Sequence, residues 1–119
     1  MDAALKRWFT PDYLAQGTGA ALVKDWRAQV DPESYAQAAW VLAHGVRELI
    51  NPAPAISAPT LVMTCAQDSG STPDMSRAIA AEIPGATVEI VPHLQHLGLM
   101  EQPDLFAHPI LEHLKRHAT

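Results

Sequence analysis

The sequence predicts an α/β fold in which short N-terminal helices precede a β-α-β-α segment with two parallel strands. Three observations carry this. Helical periodicity with recognisable caps governs residues 1–50. A proline-rich stretch, "NPAPAISAP" at 51–59, then breaks that pattern. Beyond it, two short apolar runs alternate with two helical patterns. A strand, a helix and a second strand in succession close as a right-handed crossover, which makes the strands parallel neighbours. A chain of 119 residues has room for one domain.

Each element has a local cause. In "TPDYLAQG", Thr10 offers an N-cap hydroxyl, Pro11 suits the first helical position and Gly17 is a stop. "GAALVKDWRAQV" spaces Leu22, Val23, Trp26 and Val30 as one helical stripe. "DPESYAQAAWVLAHG" has Asp31 as N-cap, Pro32 behind it, an apolar side of Tyr35, Ala39, Trp40 and Leu42, and Gly45 as its end. After the connector, "TLVMTC" is a continuous apolar run, as expected of a strand covered on both faces. "STPDMSRAIAAEIPG" repeats the capping pattern with Thr72 and Pro73, places Asp74 where the helix dipole favours a carboxylate, and offers Met75, Ile79, Ala80 and Ile83 as its stripe. "ATVEIVP" is the second strand. "QPDLFAHPILEHLKRH" is the last helix, which Pro109 should bend or interrupt.

Composition excludes several classes. A formal charge of −5 argues against nucleic acid and anionic membranes as partners. No run is long and apolar enough to span a bilayer. The start, "MDAALKRWF", lacks a signal-peptide core, and the single Cys65 rules out an internal disulfide, so a reducing cytoplasm is the expected compartment. No cofactor is expected. His113 and His117 share a helical face with Glu112 and His108 nearby, but basic residues at a helix end complement its dipole, and no metal site is expected there.

Ligands of open α/β sheets bind at the carboxyl ends of the strands. Asp68 lies just past the first strand; His93 and His96 lie just past the second. A carboxylate that accepts from one imidazole nitrogen fixes the tautomer and leaves the other as a base. The spacing alone leaves a second reading open, with Asp68 a turn residue before Ser69-Gly70 and both histidines ordinary loop residues. Cys65 reads as a small hydrophobe ending a strand. Trp8, Trp26 and Trp40 read as core.

"RWFTPDYL", "DPESYAQAAWVLA", "APTLVMT" and "HLGLMEQPDLF", in this order and spacing, resemble the α/β-hydrolase fold family, and within it 3-oxoadipate enol-lactonases and their close relatives. The resemblance implies a partial α/β-hydrolase domain over 1–119, with a cap-like helical segment at 1–50 and a C-terminal βαβα segment at 51–119 carrying the acid and histidine loops. It implies hydrolysis of a small-molecule ester or lactone by a Ser-Asp-His triad, in a cleft lined by cap aromatics, for which Trp8, Trp26 and Trp40 are the candidates. The family's acid falls on Asp68. Its histidine falls on His96, because Glu101 and Pro103 follow at the family's spacing, and His93 takes a turn position where relatives have a small residue. Cys65 replaces a common glycine, and "DSGSTP" is one residue longer than the commoner loop.

No G-x-S-x-G occurs: the serines are Ser34, Ser57, Ser69, Ser71 and Ser76, and none is an elbow nucleophile. His44-Gly45 ends a helix and is not an oxyanion-hole dipeptide. The expectation is therefore the C-terminal portion of a hydrolase, inactive alone. Its nucleophile would come from a missing N-terminal hydrolase segment, as in half of a split enzyme, or the chain would be a non-catalytic remnant. A homodimer or other oligomer is expected, since strands cut from a larger sheet leave an unpaired edge.

Overall fold

Two parallel strands, β1 (Leu61–Cys65) and β2 (Thr87–Val91), pair in register from Leu61 opposite Thr87 to Cys65 opposite Val91. The computed structural model describes residues 2–45 and 55–118. Among these, seven helices accompany the strands: α1 (Asp2–Trp8), α2 (Pro11–Gln16), α3 (Thr18–Gln29), α4 (Pro32–His44), α5 (Pro73–Ala81), α6 (Gly98–Glu101) and α7 (Asp104–His117). The connector at 51–59 falls partly outside the described residues; Ala55–Pro59 carries no helix or strand.

The caps form as their chemistry dictates. Thr10, Asp31 and Thr72 each accept the amide three residues on, from Tyr13, Ser34 and Met75, and proline follows each. Gly17 takes φ +81° and ends α2 in the left-handed conformation that costs glycine little. α5 joins β1 to β2 as the crossover. Thr64 points to its side of the sheet, where its hydroxyl donates to the Ser71 carbonyl at 2.6 Å. On the opposite face Cys65, Val91, Leu94 and Phe106 of α7 form one core, flanked by Met63. A second core joins Leu5, Phe9 and Val23 of the first helices to Leu97 and Met100 of the histidine loop.

Four expectations change. β1 is half-buried at Leu61, Val62 and Met63, and Thr87–Glu89 of β2 are exposed, because a two-stranded sheet has no flanking strands to shield its edges. Of the expected stripe, Ala80 and, just past the end of α5, Ile83 turn inward, but Met75 and Ile79 are about half exposed and Ser76 is buried instead: small side chains let the crossover helix sit close to the strands. In α3 only Gly19 and Val23 are buried, while Leu22, Trp26 and Val30 are exposed; α4 buries none of its residues. Trp26 and Trp40 are therefore not core residues. Finally, α7 continues through Pro109 without interruption. No helix among the described residues is long and apolar enough to cross a membrane.

Candidate active site

The site is built where the parallel pair ends. Cys65 and Val91 are the last residues of β1 and β2 and lie opposite each other, so the loops that follow emerge side by side. Backbone bonds stitch them together: the Ala66 amide donates to the Val91 carbonyl at 2.8 Å, and the Gln67 amide to the Leu94 carbonyl at 3.0 Å.

Asp68 closes the first loop on itself. Its Oδ1 accepts the amides of Gly70 (2.8 Å) and Ser71 (2.9 Å), so the longer "DSGSTP" loop folds tightly around the carboxylate. Its Oδ2 accepts from His96 Nδ1 at 2.7 Å. The Asp68 side chain is only 5% exposed, whereas that of His96 is 42% exposed. Burial pushes the Asp68 carboxyl up, but the Ser71 amide, the His96 imidazole and the Gly70 amide together outweigh it and hold the carboxyl below its ordinary value. The carboxylate is thus buried with both oxygens hydrogen-bonded, and the imidazole beside it is exposed. With Nδ1–H donated to Asp68, Nε2 is the nitrogen left to take and return a proton.

The histidine loop is held from below and above. Gly98 packs so closely that an added Cβ would lie 2.7 Å from both Cys65 Sγ and Leu94 Cβ. Cys65 is 3% exposed and burial pushes its thiol up, which disfavours the thiolate and any nucleophilic role. Above, the Leu97 amide donates to the Trp8 carbonyl at 2.8 Å, and the Trp8 ring stands 6.4 Å from the His96 ring, centroid to centroid. A shallow pocket of about 180 Å³ results, lined by Arg7, Trp8, Asp68, Ser69, Gly70 and His96.

The structure thus brings Asp68 and His96 together and leaves His93 aside, exposed and in the left-handed conformation at φ +63°. His113 and His117 lie on α7 with ring centroids 4.7 Å apart, and no group of three metal-ligating side chains gathers among the described residues. Of the three tryptophans that the resemblance offers as cleft aromatics, Trp8 lines the pocket; Arg7 is not among the expected residues. Both reach the pocket only through the packing of α1 on a loop almost ninety positions away, and no local pattern announces that.

No family model matches the chain, and no curated protein sequence matches it. Among solved structures it is similar to the crystal structure of the enol-lactonase from Burkholderia xenovorans LB400, at a TM-score of 0.82 and 28% identity over 96% of this chain. The match covers 43% of that enol-lactonase, so the chain spans less than half the length of the protein it resembles. Its fold is a partial α/β-hydrolase fold, and the coverage is consistent with the C-terminal part of such an enzyme.

Proposed function

We propose that this chain supplies the acid and the histidine of a Ser-Asp-His hydrolase acting on a carboxylic ester or lactone. One observation carries the reading: a buried carboxylate and an exposed imidazole 2.7 Å apart, at the carboxyl ends of adjacent parallel strands. Asp68 orients His96. His96 Nε2 takes the proton of the attacking serine, returns it to the leaving oxygen, and repeats the cycle with water. The sequence contains no G-x-S-x-G, so the serine and the oxyanion donors come from a hydrolase segment outside it, joined or separate. The similarity to an enol-lactonase makes a lactone the substrate class of first choice. The expected compartment is the cytoplasm.

The test is turnover of an activated ester by the chain alone, and by the chain combined with a G-x-S-x-G-bearing hydrolase segment, each with a His96→Ala control. The chain alone is expected to be inactive and the combination active only with His96. Substantial activity of the chain alone that His96→Ala abolishes would place a nucleophile inside this sequence.

A second reading, self-association of a non-catalytic chain as a homodimer, is favoured by its surface. Tyr35 and Leu42 of α4, seven positions apart and so on one side of the helix, are 50% and 72% exposed. The radius of gyration, 16.4 Å, exceeds the roughly 13–14 Å of a compact domain of this length. A second copy covering α4 would bury that face.

A further inference from the structure

The histidine loop is tied to the N-terminal helices by polar contacts that hydrolytic chemistry does not itself require. Glu101, at the end of α6 and five positions after His96, accepts from the Thr10 amide at 3.1 Å through one oxygen and from the Thr10 hydroxyl through the other. The same hydroxyl accepts the Tyr13 amide as the N-cap of α2, and the Tyr13 phenol donates to the Met100 carbonyl at 3.3 Å. Next to His96 itself, the Leu97 amide is held by the Trp8 carbonyl at 2.8 Å. Phe9, fully buried between these contacts, packs in the core that includes Leu97 and Met100.

We infer that Glu101 is a positioning residue for His96, acting through Thr10. The imidazole is exposed, and its only hydrogen-bonded partner among the described residues is Asp68. A single hydrogen bond leaves a ring free to pivot about it. From the side of the N-terminal helices, the backbone that carries the ring is clamped at two points: at Leu97, just before α6, by Trp8, and at Glu101, the last residue of α6, by Thr10. A carboxylate is suited to the second point because two acceptor oxygens meet two donors on one residue, and charge-assisted bonds of this kind are about twice as strong as neutral ones. The two ends of the clamp lie 91 positions apart, so the helices that wall the pocket also set where its base stands.

This rests on the proposed role of His96, and the test separates the two. In the intact chain, the exchange of the His96 Nδ1 proton is measured by NMR alongside the amides of β1. Glu101→Ala is expected to speed exchange of that proton at least tenfold while the β1 amides keep their rates. Glu101→Gln, which retains one acceptor oxygen for the Thr10 hydroxyl, is expected to fall between Ala and wild type. Thr10→Ser, which keeps both donors, is expected to match wild type; should Glu101→Ala not fold, the milder Glu101→Gln carries the test, and a wild-type exchange rate in it would overturn the inference. A His96 proton as well protected in Glu101→Ala as in wild type would overturn the inference and leave the proposed function standing. A wild-type proton with no protection would instead remove the Asp68–His96 pair on which the proposed function depends.

Discussion

Asp68 and His96 are separated by 28 positions in the chain and by 2.7 Å in space. The crossover produces this proximity: one strand, one helix and one parallel strand bring two loop residues to the same edge. The same carboxylate holds its own loop through Oδ1 and the imidazole through Oδ2, so structure and proposed chemistry share one residue.

The two uses can be pulled apart by Asp68→Asn. An amide oxygen still accepts from Gly70 and Ser71, but the amide nitrogen then faces His96 Nδ1 and demands the other tautomer. The loop is expected to survive with a loss of about 1–2 kcal/mol, since a charged acceptor is replaced by a neutral one. Activity of the nucleophile-supplemented protein is expected to fall by about three to four orders of magnitude, as a wrong tautomer does in a serine triad. Thermal melts and turnover measured on the same preparations check both halves.

Acid should loosen the fold through the same group. The Asp68 carboxyl lies below its unfolded value, near 3.9. Its stabilisation is therefore present above that pH and lost as pH falls through the lower folded value. Wild type is expected to lose stability on acidification below about pH 4 by more than Asp68→Asn does. Equal acid sensitivity of the two proteins would contradict the partnered, ionised state.

Gly98→Ala should be costly although it adds one methyl group. Its Cβ would come within 2.7 Å of Cys65 Sγ and of Leu94 Cβ, and overpacking of this kind costs about 1–3 kcal/mol. Cys65→Ala in the same protein is expected to relieve only part of the loss, because the Leu94 contact remains. Denaturant midpoints of the single and double variants decide this.

His93→Gly is expected to stabilise. A non-glycine residue at φ +63° carries about 1–2 kcal/mol of local strain, and the extra freedom glycine gives the unfolded chain returns roughly half of it. A rise in melting temperature is the expected result; a fall would show that the His93 side chain holds the loop by contacts of its own.

Light scattering at high protein concentration should detect a homodimer if the exposed face of α4 is covered by a second copy. Leu42→Asp, on a side chain 72% exposed, is expected to shift the equilibrium towards monomer without lowering helix content. A wild-type monomer at every concentration would contradict the homodimer reading.

Much of this was legible in the sequence where causes are local. Thr10, Asp31 and Thr72 announce their helices because a cap is a short-range bond between a side chain and an amide three residues on. The parallel pair follows from the order of elements, which also puts Asp68, His93 and His96 at one edge of the sheet; the choice of Asp68 with His96 comes from the family resemblance, not from spacing. What could not be read depends on partners distant in sequence. Met75 and Ile79 look like a core stripe, yet α5 packs through Ser76 and Ala80, because close approach to the strands favours small side chains over apolar ones. Trp40 and Leu42 have the right spacing for burial, but no element of the described chain covers them. The Glu101–Thr10 clamp spans 91 positions and has no local signature.

The central claim is that His96, aligned by Asp68, activates a serine this sequence does not contain. Its most direct test is the rate at which a fluorophosphonate labels the serine of a G-x-S-x-G hydrolase segment combined with this chain, since labelling reports activation of the nucleophile and not substrate fit. The account predicts labelling that slows at least about 100-fold in His96→Ala, the scale of a lost general base. Equal labelling rates with His96 and with alanine, in proteins shown to be folded and associated, would contradict it.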